Sequence, residues 1–297
     1  MDKKLEKMKN DYKNIPIPDD LDAVVERALK TGKKKRKGSY RWLIGTAAAA
    51  VILTAGLNTS PAMAKALADV PLVGSIVKVL TFTEFNIEKD NKYEANIKVP
   101  AITDLENEEL ANSLNEKYLN EGKELYEGFM KDIDEMEKDG VGGHLGVDSG
   151  YEIKTDNEQI LSIARYVVNT VGSSSTTMTY DTIDKKKEIL ISLPMLFKDE
   201  GYVDVISENI KEQMRDQMKD VDSGKTYWVS GAGLEDENLV VLFEKIKQDQ
   251  NFYINNEGKL VISFDKYEVA PGYMGVTEFI IPTEILADVL VGDEYIH

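Results

Sequence analysis

Only two imidazoles occur in this 297-residue chain: His144, inside Gly142-Gly143-His144-Leu145-Gly146, and His297. A Ser-His-Asp triad would have to draw its base from that glycine loop. Zinc hydrolysis needs clustered ligands of the H-E-x-x-H kind, and none occurs. With no cysteine, thiol nucleophiles, Cys-ligated zinc and disulfides are excluded. The abundant carboxylates offer many pairs for glycoside hydrolysis, but none sits in an apolar setting that would raise one pKa. No glycine loop has phosphate-cradling spacing, and the glycine-rich stretches read as surface turns. The expectation is a protein that is not an enzyme and that needs no metal or cofactor.

Recognition is what the side chains can offer instead. Ala270-Pro271-Gly272-Tyr273-Met274-Gly275 follows Phe264-Asp265-Lys266-Tyr267-Glu268 and precedes an apolar strand. It therefore reads as a loop at a sheet end. Pro271, Tyr273 and Met274 are candidate contacts there, since rigid aromatics favour interfaces. The alternative is that Tyr273 folds back into the core. Gly172-Ser173-Ser174-Ser175 is a second exposed turn able to join the same face.

The elements that must carry these loops read as α+β, with antiparallel sheets and packed helices. Phe82, Phe85 to Ile87 and Tyr93 to Val99 predict a hairpin turning at Lys89-Asp90-Asn91. A long helix runs from Leu105 to Lys138, with Leu110, Leu114, Leu125, Phe129, Ile133 and Met136 on one side. Tyr151–Thr155, Ile160–Thr170, Thr176–Ile183 and Ile189–Ser192 read as successive antiparallel strands. Leu193 to Phe197 reads as a helical knob, and Val203–Met218 and Leu239–Gln248 as helices. Phe252–Ile254, Leu260–Phe264 and Val276–Ile281 complete a sheet.

Ahead of this domain lies a run of 23 residues without a charge, Trp42 to Ala64. At about 1.5 Å per residue it spans about 34 Å, enough for a hydrocarbon core. Lys33-Lys34-Lys35-Arg36-Lys37 and Arg41 precede it and belong on the cytoplasmic side. Residues 1–41 carry 13 Lys/Arg against 7 Asp/Glu, and the remainder 23 against 46, so +6 faces −23 within a total of −17. A long acidic exterior attracts basic partners and does not bind nucleic acid. The outer end of the span holds two A-x-A patterns, Ala62-Met63-Ala64 and Ala66-Leu67-Ala68, which fit signal peptidase. Because 41 residues precede the span, it reads as an anchor with a cleavage site built in rather than as a plain leader.

Inside, Leu21, Val24, Val25, Ala28 and Leu29 line one face of a helix that follows Asp19 and Asp20. So short a piece cannot bury that stripe alone; another protein, the bilayer surface or a second copy must cover it. Val70, Val73, Val77 and Leu80 form a broken stripe beside the A-x-A sites. Docking it would keep the scissile bond out of the extended form that proteases need. The expected organisation is 1–41 cytoplasmic, 42–64 membrane helix, 65–80 juxtamembrane linker, and two outer subdomains, 81–184 and 185–297.

Tyr12-Lys13-Asn14-Ile15-Pro16-Ile17-Pro18-Asp19-Asp20-Leu21-Asp22, with the helix, basic cluster and span that follow it, resembles the anti-sigma-V factors, a family of lysozyme-sensing membrane anti-sigma factors in Gram-positive bacteria. Leu193 to Phe197, Gln250-Asn251-Phe252-Tyr253 and Phe264 to Pro271 with Gly275 are similar to that family's outer domain. The same outer domain occurs beside peptidoglycan deacetylases, but their metal motif is absent here. The resemblance implies that residues 1–41, through Leu21, Val24, Val25, Ala28 and Leu29, hold an extracytoplasmic-function sigma factor. It implies that the outer domain binds lysozyme through Pro271, Tyr273 and Met274, with Ser173, Ser174 and Ser175. It further implies that binding exposes the site at Ala62, Ala64, Ala66 and Ala68 to signal peptidase, and that an intramembrane site-2 protease then cuts the span. The open alternative is a membrane-anchored cell-wall-binding protein with no sigma partner.

Overall fold

A computed structural model describes residues 78–89, 92–140, 143–232 and 240–297. The expected cytoplasmic helix, the span, both A-x-A registers, linker residues 65–77 and the Asp90-Asn91 turn lie outside the described residues. Among the described residues no helix is long and apolar enough to cross a membrane.

The described chain builds two sheets. A six-stranded sheet runs in the order β1 (Lys78–Lys89), β2 (Tyr93–Thr103), β3 (Leu145–Asp156), β4 (Ile160–Val171), β5 (Ser173–Asp184), β6 (Ile189–Ile191). A three-stranded sheet contains β7 (Phe252–Ile254), β8 (Leu260–Phe264) and β9 (Thr277–Ile281). The α+β class holds, but the expected all-antiparallel pairing does not. β2 and β3 run parallel, from Tyr93↔Leu145 to Ile97↔Ser149. Helix α1 (Glu108–Asp139) separates them in sequence and carries the chain back before β3 begins, as a parallel connection requires.

Local chemistry sets the limits of α1. The Asn107 side chain accepts from the Leu110 N–H, and Glu108 and Glu109 fill the first turn, where carboxylates suit the helix N-terminus. Gly140, left-handed at φ 63°, closes the helix with its N–H on the Met136 carbonyl. Ala111, Leu114, Tyr118, Gly122, Phe129 and Ile133 form the buried stripe. It packs on alternate β2 residues, Tyr93, Ala95, Ile97 and Val99. Contact is close enough at Gly122 that a Cβ there would lie 2.6 Å from the Val99 side chain. Arg165 of β4 clamps the helix, pairing with Glu121 of α1 and with Asp181 at 3.2 Å, and lying over the Tyr118 ring.

Helix α2 (Gly201–Lys219) covers the second sheet. Tyr202, Ile206, Ile210 and Met214 recur every four residues and enter one core with Phe264, Phe279 and Leu286. Residues 241–247 are not helical, contrary to expectation. Their polar backbone is used by distant partners: Phe243 N–H donates to the Trp228 carbonyl at 2.7 Å and Ile246 N–H to Ser207 Oγ at 2.9 Å. Phe243 and Ile246 are buried while Val241 is exposed. Leu239 lies outside the described residues.

Side chains sew the sheets together at β5. Tyr180 stacks on Tyr253 at 5.5 Å and donates to Ser263 Oγ at 2.9 Å. Asn251 Nδ2 donates to the Met178 carbonyl at 2.8 Å. The middle of β5 is therefore held against β7, β8 and the residue that leads into β7.

Candidate recognition face

The loop after β8 is built by a chain of small constraints. Asp265 accepts from the Met178 N–H at 2.7 Å, and the Asp265 N–H donates to Glu268 Oε2 at 2.9 Å. Burial pushes the Asp265 carboxyl above its ordinary value, outweighing the Met178 N–H, which pulls it down. The Lys266 N–H donates to the Thr176 carbonyl at 3.1 Å, and Lys266 Nζ donates to Ser174 Oγ at 2.8 Å. The hairpin end and the loop thus form one surface.

Pro271 leads into a 3-10 turn, Gly272–Met274, which Gly275 ends at φ 68°. The turn sorts its side chains. Met274 packs against the core that contains Phe264 and Phe279. Tyr273 points outward and is 68% exposed, so it does not fold back into the core. Its hydroxyl donates to the Gly224 carbonyl at 3.1 Å and is hydrogen-bonded to the Thr226 hydroxyl at 2.8 Å. Those bonds fix the phenol and leave the ring face open.

Ser173, Ser174 and Ser175 are strand residues, not a turn. They pair with Val171, Thr170 and Asn169 in β4–β5, and Gly172 at φ 74° makes the reversal. Ser173 and Ser175 are exposed and Ser174 is half-buried. Of the sequence-predicted residues, the structure brings Ser174 to the recognition loop through Lys266. Leu21, Val24, Val25, Ala28, Leu29, Ala62, Ala64, Ala66 and Ala68 lie outside the described residues. Sequence reasoning missed Gly224 and Thr226, which sit 47 to 49 positions from Tyr273; no spacing rule connects them. It also passed over Lys266 and Tyr267, although both fall inside a stretch it singled out.

The histidines do not assemble a reactive centre with these groups. His144 is an exposed residue just before β3, and the His297 N–H donates to the Gly258 carbonyl at 3.0 Å. Among the described residues no group of three or more His, Cys, Asp or Glu is placed to hold a metal ion. The chemistry on offer is an aromatic ring on a pinned turn, flanked by hydroxyls.

A family model described as a protein of unknown function, DUF3298, matches residues 195–284, which include this loop. The chain is 48% identical over 298 aligned residues to the anti-sigma-V factor RsiV of Bacillus subtilis (strain 168), covering 100% of each chain. Two solved structures share the fold. A DUF3298-family protein from Bacteroides fragilis has a TM-score of 0.51 at 15% identity, covering 73% of this chain and 94% of its own. One from Pseudomonas aeruginosa has a TM-score of 0.50 at 14% identity, covering 75% and 95%.

Proposed function

This chain belongs to the anti-sigma-V factor family, and from that membership we propose that it is a membrane-anchored receptor whose outer domain binds lysozyme and thereby frees a sigma factor held inside. It is an anti-sigma factor, hence a regulator rather than an enzyme. Its inner partner is a sigma factor of the sigma-V kind. Residues 1–41 grip that factor through Leu21, Val24, Val25, Ala28 and Leu29. The charge-free run 42–64 anchors the chain with its N-terminus in the cytoplasm and its C-terminus outside. Lysozyme meets Pro271 and Tyr273, with Met274 supporting the turn from below and Ser173 to Ser175 alongside. Signal peptidase then cuts near Ala62 to Ala68, and an intramembrane site-2 protease completes release.

The observation that carries the reading is the full-length alignment, which spans the inner segment, the apolar run and the outer domain together. The pinned, exposed ring of Tyr273 supports the outer half, because a fixed aromatic loses little freedom on binding. Calorimetry with the full-length chain in detergent micelles tests the ligand: lysozyme binds, and no heat of binding rejects lysozyme as the signal. A pull-down with residues 1–41 tests the inner half, since a wall-binding protein without a sigma partner would retain none.

A further inference from the structure

Tyr267 has φ 74°, in the left-handed region that an aromatic residue seldom occupies. Such a conformation persists only where its surroundings over-determine it. They do so here. Asp265 and Glu268 close a turn around it, the Glu268 N–H donating to the Asp265 carbonyl at 3.0 Å, while Lys266 is held to Thr176 and Ser174 on the hairpin. The strain is not offset by full burial, because Tyr267 remains 44% exposed. The ring lies against Gly272 so closely that a Cβ there would overlap it, and Gly272 precedes Tyr273 in the same 3-10 turn. Lys266 Nζ stands 5.2 Å from the ring centroid.

We infer that Tyr267 is a second contact residue of the recognition face, forming a two-ring platform with Tyr273, and that Lys266 is the positioning residue that fixes this platform to the β4–β5 hairpin. The fold retains a strained, half-exposed tyrosine because that backbone aims its ring beside the turn that carries Tyr273. The partner that fits is a protein with an apolar or aromatic-lined cleft able to take two adjacent phenol rings. The inference rests on the receptor reading above and adds to it which residues make the contact.

The test uses full-length chain in detergent micelles, immobilised lysozyme, and thermal melting of each variant. Tyr267→Gly relieves the backbone and removes the ring. Its melting midpoint is expected to hold or rise while affinity falls about tenfold, the loss of one aromatic anchor. Lys266→Met is expected to weaken binding and Lys266→Arg to restore it, with both melting as wild type. Wild-type affinity in Tyr267→Gly, beside a wild-type chain that binds, overturns this inference alone. A lowered midpoint together with lost affinity also overturns it, since the residue would then be structural. Failure of the wild-type chain to bind lysozyme overturns the receptor reading and takes this inference with it.

Discussion

Tyr273 commits its hydroxyl to Thr226 and Gly224 and keeps its ring open, so a partner meets carbon rather than a hydrogen-bonding group. Tyr273→Ala should weaken lysozyme binding by about 2 kcal/mol, or about thirtyfold in Kd, chiefly through faster dissociation. Unchanged affinity by calorimetry would remove the residue from the face. Val25→Asp in the inner segment would place a charge in an apolar contact; sigma-factor retention should be lost, and intact repression would show that the stripe is not the contact. Asp184 makes a separate point about stability. Burial raises its pKa, but the Lys187 N–H, the Tyr295 hydroxyl and the Lys186 N–H outweigh that and hold the carboxyl below its ordinary value. A depressed folded pKa means stability present above the unfolded value and lost as pH falls through the folded one. Asp184→Asn should cost about 1–3 kcal/mol at neutral pH and flatten the acid limb of the denaturation curve. An acid limb as steep as wild type would contradict that role.

Among the elements, α1 gives the sharpest contrast. Gly122 sits under Val99, whereas a Cβ at Gly128 would meet nothing within 4 Å. Alanine at either position gains about 1 kcal/mol of helix propensity, but at 122 overpacking costs about 1–3 kcal/mol. Denaturant titration should find Gly128→Ala stabilised and Gly122→Ala destabilised; stabilisation of both would refute the close approach. This helix was legible in the sequence because its apolar residues recur at helical spacing, although the expected start at Leu105 ran three residues early. Strands β7 and β8 were legible for the same reason, as short apolar runs between turn residues. The parallel β2–β3 pairing was not, because alternation marks a strand without naming its neighbour. Residues 241–247 misled because Leu239, Leu242, Phe243 and Ile246 have the i, i+3, i+4, i+7 spacing of a helical stripe, while the Phe243 and Ile246 N–H groups find their partners in distant segments. The sequence left open whether Tyr273 faces outward or folds into the core; of the candidate recognition face, only the loop itself could be read from residue types. Thr226 as its anchor and the strained Tyr267 could not, since both depend on tertiary contacts.

The whole molecule separates contact from attraction. Residues 265–275 hold Asp265 and Glu268 against Lys266, a nearly balanced set, whereas α1 alone carries eleven Asp/Glu against four Lys. The acidity outside the loop therefore acts at range. Raising salt from about 0.01 to 0.15 M shortens the screening length from about 30 to 8 Å and should slow lysozyme association more than it speeds dissociation. Equal effects on both rates would place the charge in the contact itself. The most direct test of the account joins both ends of the chain: the full-length protein is held in membranes with its sigma factor bound and with signal peptidase and the site-2 protease both present, and lysozyme is added outside. The account predicts cleavage between Ala62 and Ala68 followed by appearance of free sigma factor, with both events needing about thirtyfold more lysozyme in a Tyr273→Ala chain. A sigma factor that stays bound while lysozyme occupies the outer domain and the chain is cut would contradict it.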